Sequence, residues 1–254
     1  MMRRTTIALA ALLAACTPEP PEKPQQEAKP QARPVDVARK EIPLDVKDGK
    51  ASLERNFYFI IDGSGSMLDP PGDDCRGEQR FASKIDGARW ALSQFLTQVP
   101  QDANLGLWIF DAQGSREVVA LGPGNREVFA RAVRGLDAGG NTPLAASIRS
   151  ATDHLVEQYK RQLGYGEYRL VVVTDGIADE IPSAARHATA FGIPIYTIGL
   201  CIGENHPLRQ FSLSYKAADS MEELATALHE TLAEAPSFDA TAFEKETSGA
   251  PPNP

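Results

Sequence analysis

The feature that most constrains the fold is an alternation of short, continuous apolar segments with longer segments whose apolar residues recur at helical spacing. Continuous apolar runs are typical of strands that are buried on both faces, and helical segments between them provide the crossovers of a parallel sheet. The alternation extends over about residues 53–235 of the 254. We therefore predict one α/β domain with a doubly wound, mostly parallel sheet covered by helices on both faces.

The apolar runs and helical periods also give the approximate positions of the elements. Strands are predicted over residues 57–61, 105–109, 118–121, 170–173 and 193–200. Helices are predicted over residues 85–99, 126–136, 144–159, 181–191 and 220–232. The last helix begins at a capping box, because Ser220 and Glu223 are spaced so that each side chain can accept a hydrogen bond from the other's backbone N–H.

The amino terminus has the features of an export signal. Arg3 and Arg4 precede an apolar run, residues 7–15, that is too short to span a bilayer. The run stops at the sequence LAAC, which resembles the bacterial lipobox and implies cleavage before Cys16 and a diacylglycerol on its thiol. In the lipoproteins that this sequence resembles, a residue other than Asp after the cysteine, here Thr17, implies sorting to the outer membrane, if the organism has one. An ordinary secretory signal with a chance cysteine is the alternative.

Polar sequence without an apolar period lies on both sides of the predicted domain. The Pro-rich residues 16–52 are predicted to be a lipid-anchored tether, and residues 236–254 a disordered tail. Removal of the signal peptide, residues 1–15, leaves 24 basic against 34 acidic residues, a net charge of −10. This charge argues against binding to nucleic acid or to an anionic membrane surface. Membrane contact is therefore expected through the lipid anchor only.

Three polar clusters lie where the predicted strands end or the long helix begins. The sequence DGSGSM follows the first strand, GGNTP precedes the helix predicted from residue 144, and TDG ends the fourth strand. Open parallel sheets bind ligands at the carboxyl ends of their strands. The clusters offer two carboxylates and three hydroxyls, which are hard oxygen ligands suited to Mg2+ or a similar ion such as Mn2+ or Ca2+. The expected ligands are Asp62, Ser64, Ser66, Thr142 and Asp175.

The motifs DGSGSM, NTPL and TDG resemble the metal-ion-dependent adhesion site of the von Willebrand factor type A domain, over about residues 53–235. The resemblance implies that Ser64, Ser66 and Thr142 ligate the ion directly, whereas Asp62 and Asp175 act directly or through water. It also implies that an open coordination position of the ion accepts a Glu or Asp side chain from a protein partner.

Two features depart from the family pattern. A Pro-rich stretch, residues 69–80, separates the first motif from the first helix, and no fifth crossover helix is recognisable between residues 201 and 212. Both lie on the ligand-binding side of the predicted sheet. The partner surface is therefore less predictable than the metal site, and the sequence does not identify the partner.

Each motif also has a simpler structural interpretation. Thr142 before Pro143 has the pattern of a helix N-cap with proline at the first helical position. Asp175 before Gly176 is a common strand-end turn, and the sequence DGSGS by itself is also compatible with a flexible loop. An ion could also hold the loops together while partners bind elsewhere on the domain.

A hydrolase is a further alternative, and the sequence does not favour it. Aspartyl-phosphate phosphatases resemble DxDx[TV], but residue 64 is serine, and the chain has neither a GxxxxGK[ST] nor a GxSxG motif. Glu204 and His206 are the candidate bases, and His206 is expected to be a solvated surface residue. We predict a cell-envelope lipoprotein that binds protein ligands without catalysis, in adhesion, scaffolding or complex assembly.

The chain contains three cysteines, at positions 16, 75 and 201. They form no CxxC pair and have no His at ligand spacing, so a zinc site is not predicted. Cys75 and Cys201 are both expected at the carboxyl edge of the sheet in an oxidising compartment, where a disulfide can form. We predict that pairing, with two free thiols as the alternative.

Overall fold

The computed structural model describes residues 37–44, 47–75 and 77–233. Within these residues, six strands form one sheet in the order β3-β2-β1-β4-β5-β6. Neighbouring strands are parallel except for the pair β2 and β3, which is antiparallel. The strands are β1 Arg55–Asp62, β2 Asn104–Asp111, β3 Gly114–Gly122, β4 Glu167–Thr174, β5 Ile195–Leu200 and β6 Ser214–Ala218.

Helices cover both faces of this sheet. Helices α1, α2 and α5 contribute to one hydrophobic core, and helices α3 and α4 contribute to the other. In the described part of the chain, no helix is both long and apolar enough to cross a membrane. The helices are α1 Lys84–Gln98, α2 Arg126–Arg134, α3 Leu144–Arg161, α4 Ile181–Ala190 and α5 Met221–Glu230.

Strand β1 shows why an apolar run becomes a central strand. All of its residues except Arg55 are buried. Because side chains alternate across a sheet, Phe57 and Phe59 enter the core beneath α1, while Tyr58 and Ile60 enter the core beneath α3. The predicted α/β class, with a mostly parallel sheet between two layers of helices, is confirmed.

Strand β6 is absent from the prediction. Four of its five residues are only half-buried, because it lies at the edge of the sheet, so the sequence SYKAA forms no continuous apolar run. Between β5 and β6 the chain forms a short 3-10 helix, Pro207–Gln210, where the family pattern would have a crossover helix.

The last part of the predicted tether contacts the domain. Lys40 N–H donates a hydrogen bond to Ala190 O at 2.7 Å, and Ile42 packs against the core beneath α4. Lys50 N–H donates to Arg161 O at 2.8 Å. The packed region therefore includes some residues before 53. The Pro-rich sequence of the predicted tether has no apolar period, so it did not predict these contacts. The signal peptide, Cys16, the first part of the tether and the tail over 236–254 lie outside the described residues.

Candidate metal centre

The loop after β1 is held close to the end of β2. Gly63 N–H donates to Phe110 O at 2.9 Å. A Cβ atom on Gly63 would lie 3.0 Å from both Phe110 O and Asp111 Cβ, so a larger residue would push the two chains apart by a few tenths of an ångström. The chain then forms a 3-10 helix, Gly65–Leu68, in which Met67 is fully buried and anchors the turn. The serines on either side of Gly65 are thereby positioned at the sheet edge.

Asp62, at the end of β1, is fully buried and accepts hydrogen bonds on both oxygens. Its Oδ1 accepts from Ser64 N–H at 2.9 Å and from Ser64 Oγ at 2.6 Å. Its Oδ2 accepts from Thr174 Oγ1 at 2.6 Å. Burial raises the pKa of Asp62, and the hydrogen bonds from Ser64 and Thr174 act in the opposite direction.

A close contact between two hydroxyl oxygens connects Ser64 with the end of β4. The Oγ atoms of Ser64 and Ser66 are 3.2 Å apart, and Ser66 Oγ donates to Asp175 Oδ1 at 2.8 Å. Asp62, Ser64 and Asp175 are buried, whereas Ser66 is exposed. Four of the five predicted ligands therefore lie in one group that opens to solvent at Ser66.

The loop that carries Thr142 is joined to the same group through its backbone. Gly139 N–H donates to Gly63 O at 2.7 Å, and Gly65 N–H donates to Gly140 O at 3.2 Å. Gly140 has a φ of 78°, a conformation that glycine adopts without strain. Within the described residues, the half-buried Thr142 forms no side-chain hydrogen bond to the other four predicted ligands.

The interpretation of Thr142 as a helix cap is wrong. Helix α3 begins at Leu144, and the residue at its N-cap position is Pro143, which makes no side-chain capping bond. The helix starts one residue later than the cap pattern requires, because the backbone of the preceding loop is held against the Gly63 loop.

Two further residues contact the predicted ligands. Thr174 holds Asp62, as described above, and Lys84 Nζ donates to Asp175 Oδ2 at 2.7 Å. Thr174 is adjacent to Asp175 in the TDG motif, so its proximity could have been inferred from the sequence. Lys84 follows the Pro-rich stretch and belongs to none of the three motifs, so no sequence signal placed it here.

His206 is buried, with a residue exposure of 4%, so the expectation of a solvated side chain is wrong. The hydrogen-bond pattern has Nε2 donating to Gly176 O at 3.0 Å and Nδ1 accepting from Leu208 N–H at 3.1 Å. Burial lowers its pKa, although the bond to Gly176 acts against this shift. Both ring nitrogens are engaged by backbone groups, and the residue ties the turn after β5 to the loop after β4.

The Pro-rich residues 69–80, which we call the insertion, are attached to the domain by hydrogen bonds and by a disulfide. At its base, Lys84 N–H donates to Asp69 O at 3.0 Å. A disulfide joins Cys75 to Cys201, whose Cα atoms are 5.4 Å apart. Gln79 N–H donates to Glu222 Oε1, at the start of α5, at 2.8 Å. The insertion is thus held beside the carboxyl edge of the sheet, next to the predicted ligands.

The donor set fits a hard divalent cation. In the described part of the chain, no group of three or more His, Cys, Asp or Glu side chains is arranged to hold a metal ion. A metal centre at this edge would therefore combine two carboxylates with hydroxyl oxygens and water, which suits Mg2+ better than a soft metal.

The sheet order and the helices on both faces define a doubly wound α/β domain with polar loops at its carboxyl edge. The family profile of the von Willebrand factor type A domain matches residues 56–246, and the chain belongs to this family. The match confirms the resemblance carried by DGSGSM, NTPL and TDG. It extends beyond residue 235, where the apolar pattern ends.

Solved structures share this fold at low sequence identity. An aerotolerance-related membrane protein from Bacteroides fragilis is 15% identical with a TM-score of 0.51, over 68% of this chain and 96% of that one. Manganese-loaded TRAP from Plasmodium vivax is 18% identical with a TM-score of 0.52, over 72% of this chain and 75% of that one. The pilus adhesin SpaC from Lactobacillus rhamnosus GG is 14% identical with a TM-score of 0.53, over 72% of this chain and 31% of that one. Among curated protein sequences, none is significantly similar to this chain.

Proposed function

We propose that this chain is an exported, lipid-anchored envelope protein that binds protein partners through a divalent cation. Its role would be adhesion, scaffolding or the assembly of a complex. The observation that carries the proposal is a group of oxygens in which Ser64 Oγ donates to buried Asp62, Ser66 Oγ donates to Asp175, and the two Oγ atoms lie 3.2 Å apart. The residues that would hold the ion are Asp62, Ser64, Ser66, Thr142 and Asp175.

The chemistry of these residues favours binding over catalysis. The hydroxyls of Ser64, Ser66 and Thr142 are neutral ligands, and the carboxylates of Asp62 and Asp175 orient the two serines. A bound Mg2+ or Mn2+ with mostly neutral ligands would keep much of its charge and would attract a carboxylate at an open coordination position. A Glu or Asp side chain of a protein partner is the proposed occupant.

Apolar side chains beside the centre support a protein partner over a small anion. Leu68 is 56% exposed and Ile177 is 65% exposed. Each lies two residues from a predicted ligand, Ser66 and Asp175, and those two ligands are hydrogen-bonded to each other. Exposed apolar groups beside a polar contact point are typical of protein interfaces. The manganese in TRAP and the adhesive role in the name of SpaC agree with this proposal.

The anchoring part of the proposal rests on the amino-terminal sequence. Lipidation of Cys16 would hold the domain at the membrane, with the Pro-rich residues after it as a spacer. The outer membrane is the proposed location, with the domain facing either the periplasm or the cell surface.

The test is capture of envelope or host proteins by the mature protein. We expect the wild type to capture partners in Mg2+ and to lose capture in EDTA, which removes the ion. Asp62→Ala should also lose capture, because the charge that orients the ion is removed. Asp102→Ala is the matched control, since Asp102 is an exposed Asp that pairs with Arg55 at the opposite edge of the sheet. Circular dichroism checks that both variants are folded. Equal capture by all samples would show that recognition does not depend on the ion.

A further inference from the structure

Lys84 and Asp175 form a mostly buried ion pair inside the candidate metal centre. Lys84 Nζ lies 2.7 Å from Asp175 Oδ2, and the two side chains are 15% and 0% exposed. A carboxylate buried to this extent is costly without a compensating charge or hydrogen bonds. Lys84 therefore supplies Asp175 with a positive charge from the chain itself.

The position of this ammonium group is set by the fold. Lys84 is the first residue of α1, and its backbone N–H is bound to Asp69 at the base of the insertion. The helix start is fixed by Ser83, whose side chain accepts a hydrogen bond from Asp86 N–H. The side chain of Lys84 thus enters the centre from a rigid helix terminus.

Lys84 also borders a cavity whose wall contains several aspartates. A cavity of about 520 Å³ between the insertion and the ends of β5 and β6 is lined by Lys84 and by several carboxylates. The acidic residues in its wall are Asp69, Asp73, Asp74 and Asp219. Lys84 is the cationic side chain among the residues that line this cavity.

We propose that Lys84 is a built-in counter-cation of Asp175, which weakens binding of the divalent ion and preserves the ion's positive charge for the partner's carboxylate. The inference rests on the proposed function. The contacts that link Lys84 to Ser66 through Asp175 are 2.7 and 2.8 Å long, so an ion on Ser66 would lie within about 10 Å of the ammonium. At that separation in a partly buried site, two positive charges repel each other appreciably.

The orientation of Asp175 does not depend on Lys84 alone. Ser66 Oγ donates to Oδ1 of the carboxylate, and Lys84 donates to Oδ2. Removal of the ammonium would leave Asp175 oriented by Ser66 but with its full negative charge directed at the ion. The ion would then bind more tightly and would be better neutralised, so it would attract a partner's carboxylate less strongly.

The experiment measures Mn2+ binding by the full mature chain in detergent, without any partner, from the loss of the free-ion electron paramagnetic resonance signal. For Lys84→Met we expect the dissociation constant to fall by roughly tenfold, because a repelling charge is removed. Lys84→Arg keeps the charge and should stay within about twofold of the wild type. Lys160→Met, which removes a half-buried lysine paired with Glu157 on α3, is the matched control and should leave Mn2+ binding unchanged.

A thermal melt provides a second readout. Metal-free Lys84→Met should have a lower melting temperature than the metal-free wild type. Added Mn2+ should raise the melting temperature of the variant by more than it raises that of the wild type, since ligand stabilisation grows as the dissociation constant falls. Lys84→Gln serves if Lys84→Met does not fold, because its amide can still donate to Asp175 without a charge. Unchanged or weaker Mn2+ binding by Lys84→Met and Lys84→Gln would overturn the proposed role of Lys84 but not the proposed function. Absence of Mn2+ binding by the wild type would instead overturn the proposed function.

Discussion

Asp62 and Asp175 are both buried, but their partners differ. Asp62 accepts hydrogen bonds from the neutral hydroxyls of Ser64 and Thr174 and from the Ser64 amide, whereas Asp175 accepts one from the ammonium of Lys84. Burial raises the pKa of Asp62 because these neutral donors compensate only in part for lost hydration. A divalent ion bound beside Asp62 would supply a positive charge to this carboxylate, as Lys84 does for Asp175.

Thr142 provides a test of ligation that is separate from helix stability. Because α3 has no side-chain cap, Thr142→Ala should change the free energy of unfolding by less than about 0.5 kcal/mol, well below the cost of losing a capping residue. Mn2+ binding should nevertheless weaken, since one of the three hydroxyl ligands is removed. The measurements are urea unfolding without metal and Mn2+ titration.

Thr97→Ala is a suitable control for that substitution. It makes the same chemical change at an exposed position in the last turn of α1, at the end of the helix farthest from Lys84. Mn2+ binding should stay unchanged, and the free energy of unfolding should differ from the wild type by no more than about 0.7 kcal/mol, the range of ordinary helix propensities. If Thr142→Ala destabilised the metal-free domain by a full capping energy while Mn2+ binding stayed unchanged, Thr142 would have a structural role instead.

At the scale of elements, the insertion depends on long-range attachments for its position. Its residues include no α-helix or strand among those described; they contain one short 3-10 helix, Asp73–Cys75, and the disulfide joins this turn to the residue after β5. The two bonded cysteines are separated by 126 positions in the sequence. Closing a loop of that length restricts the unfolded chain strongly.

The disulfide should therefore stabilise the domain. Replacing both Cys75 and Cys201 by serine should lower the free energy of unfolding by up to about 4–5 kcal/mol in the chain-entropy model. Chemical denaturation of the wild type and the double variant under non-reducing conditions measures the difference. Alkylation and mass spectrometry of the exported protein test the bond directly, and two alkylated thiols at these positions would contradict it.

At the scale of the whole molecule, the domain belongs to a chain whose amino-terminal sequence predicts a membrane anchor. Cys16→Ser should leave the chain either unprocessed by the lipoprotein peptidase or released in a soluble form, because no thiol remains to carry the lipid. The domain should still fold, since residue 16 precedes the region matched by the family profile. Membrane fractionation and intact mass measure both effects. Wild-type protein in the soluble fraction without an acyl group would refute lipid anchoring.

The sequence by itself determined strands β1 to β5, the covering helices and the positions of the polar clusters. These features are encoded locally, because the period of apolar residues reports which sides of an element are buried. The edge strand β6 and the contact of Lys40 with Ala190 carry no such period, so the sequence did not predict them.

Only the tertiary structure decided which side chains meet at the candidate centre. Thr174 and Asp62 are 112 residues apart in sequence, and Lys84 and Asp175 are 91 residues apart. The parallel strands β1 and β4 end at the same edge of the sheet, which brings Asp62 next to Thr174. Lys84 reaches Asp175 because α1 begins where the insertion closes at Asp69, and this depends on packing between elements, which no local pattern records.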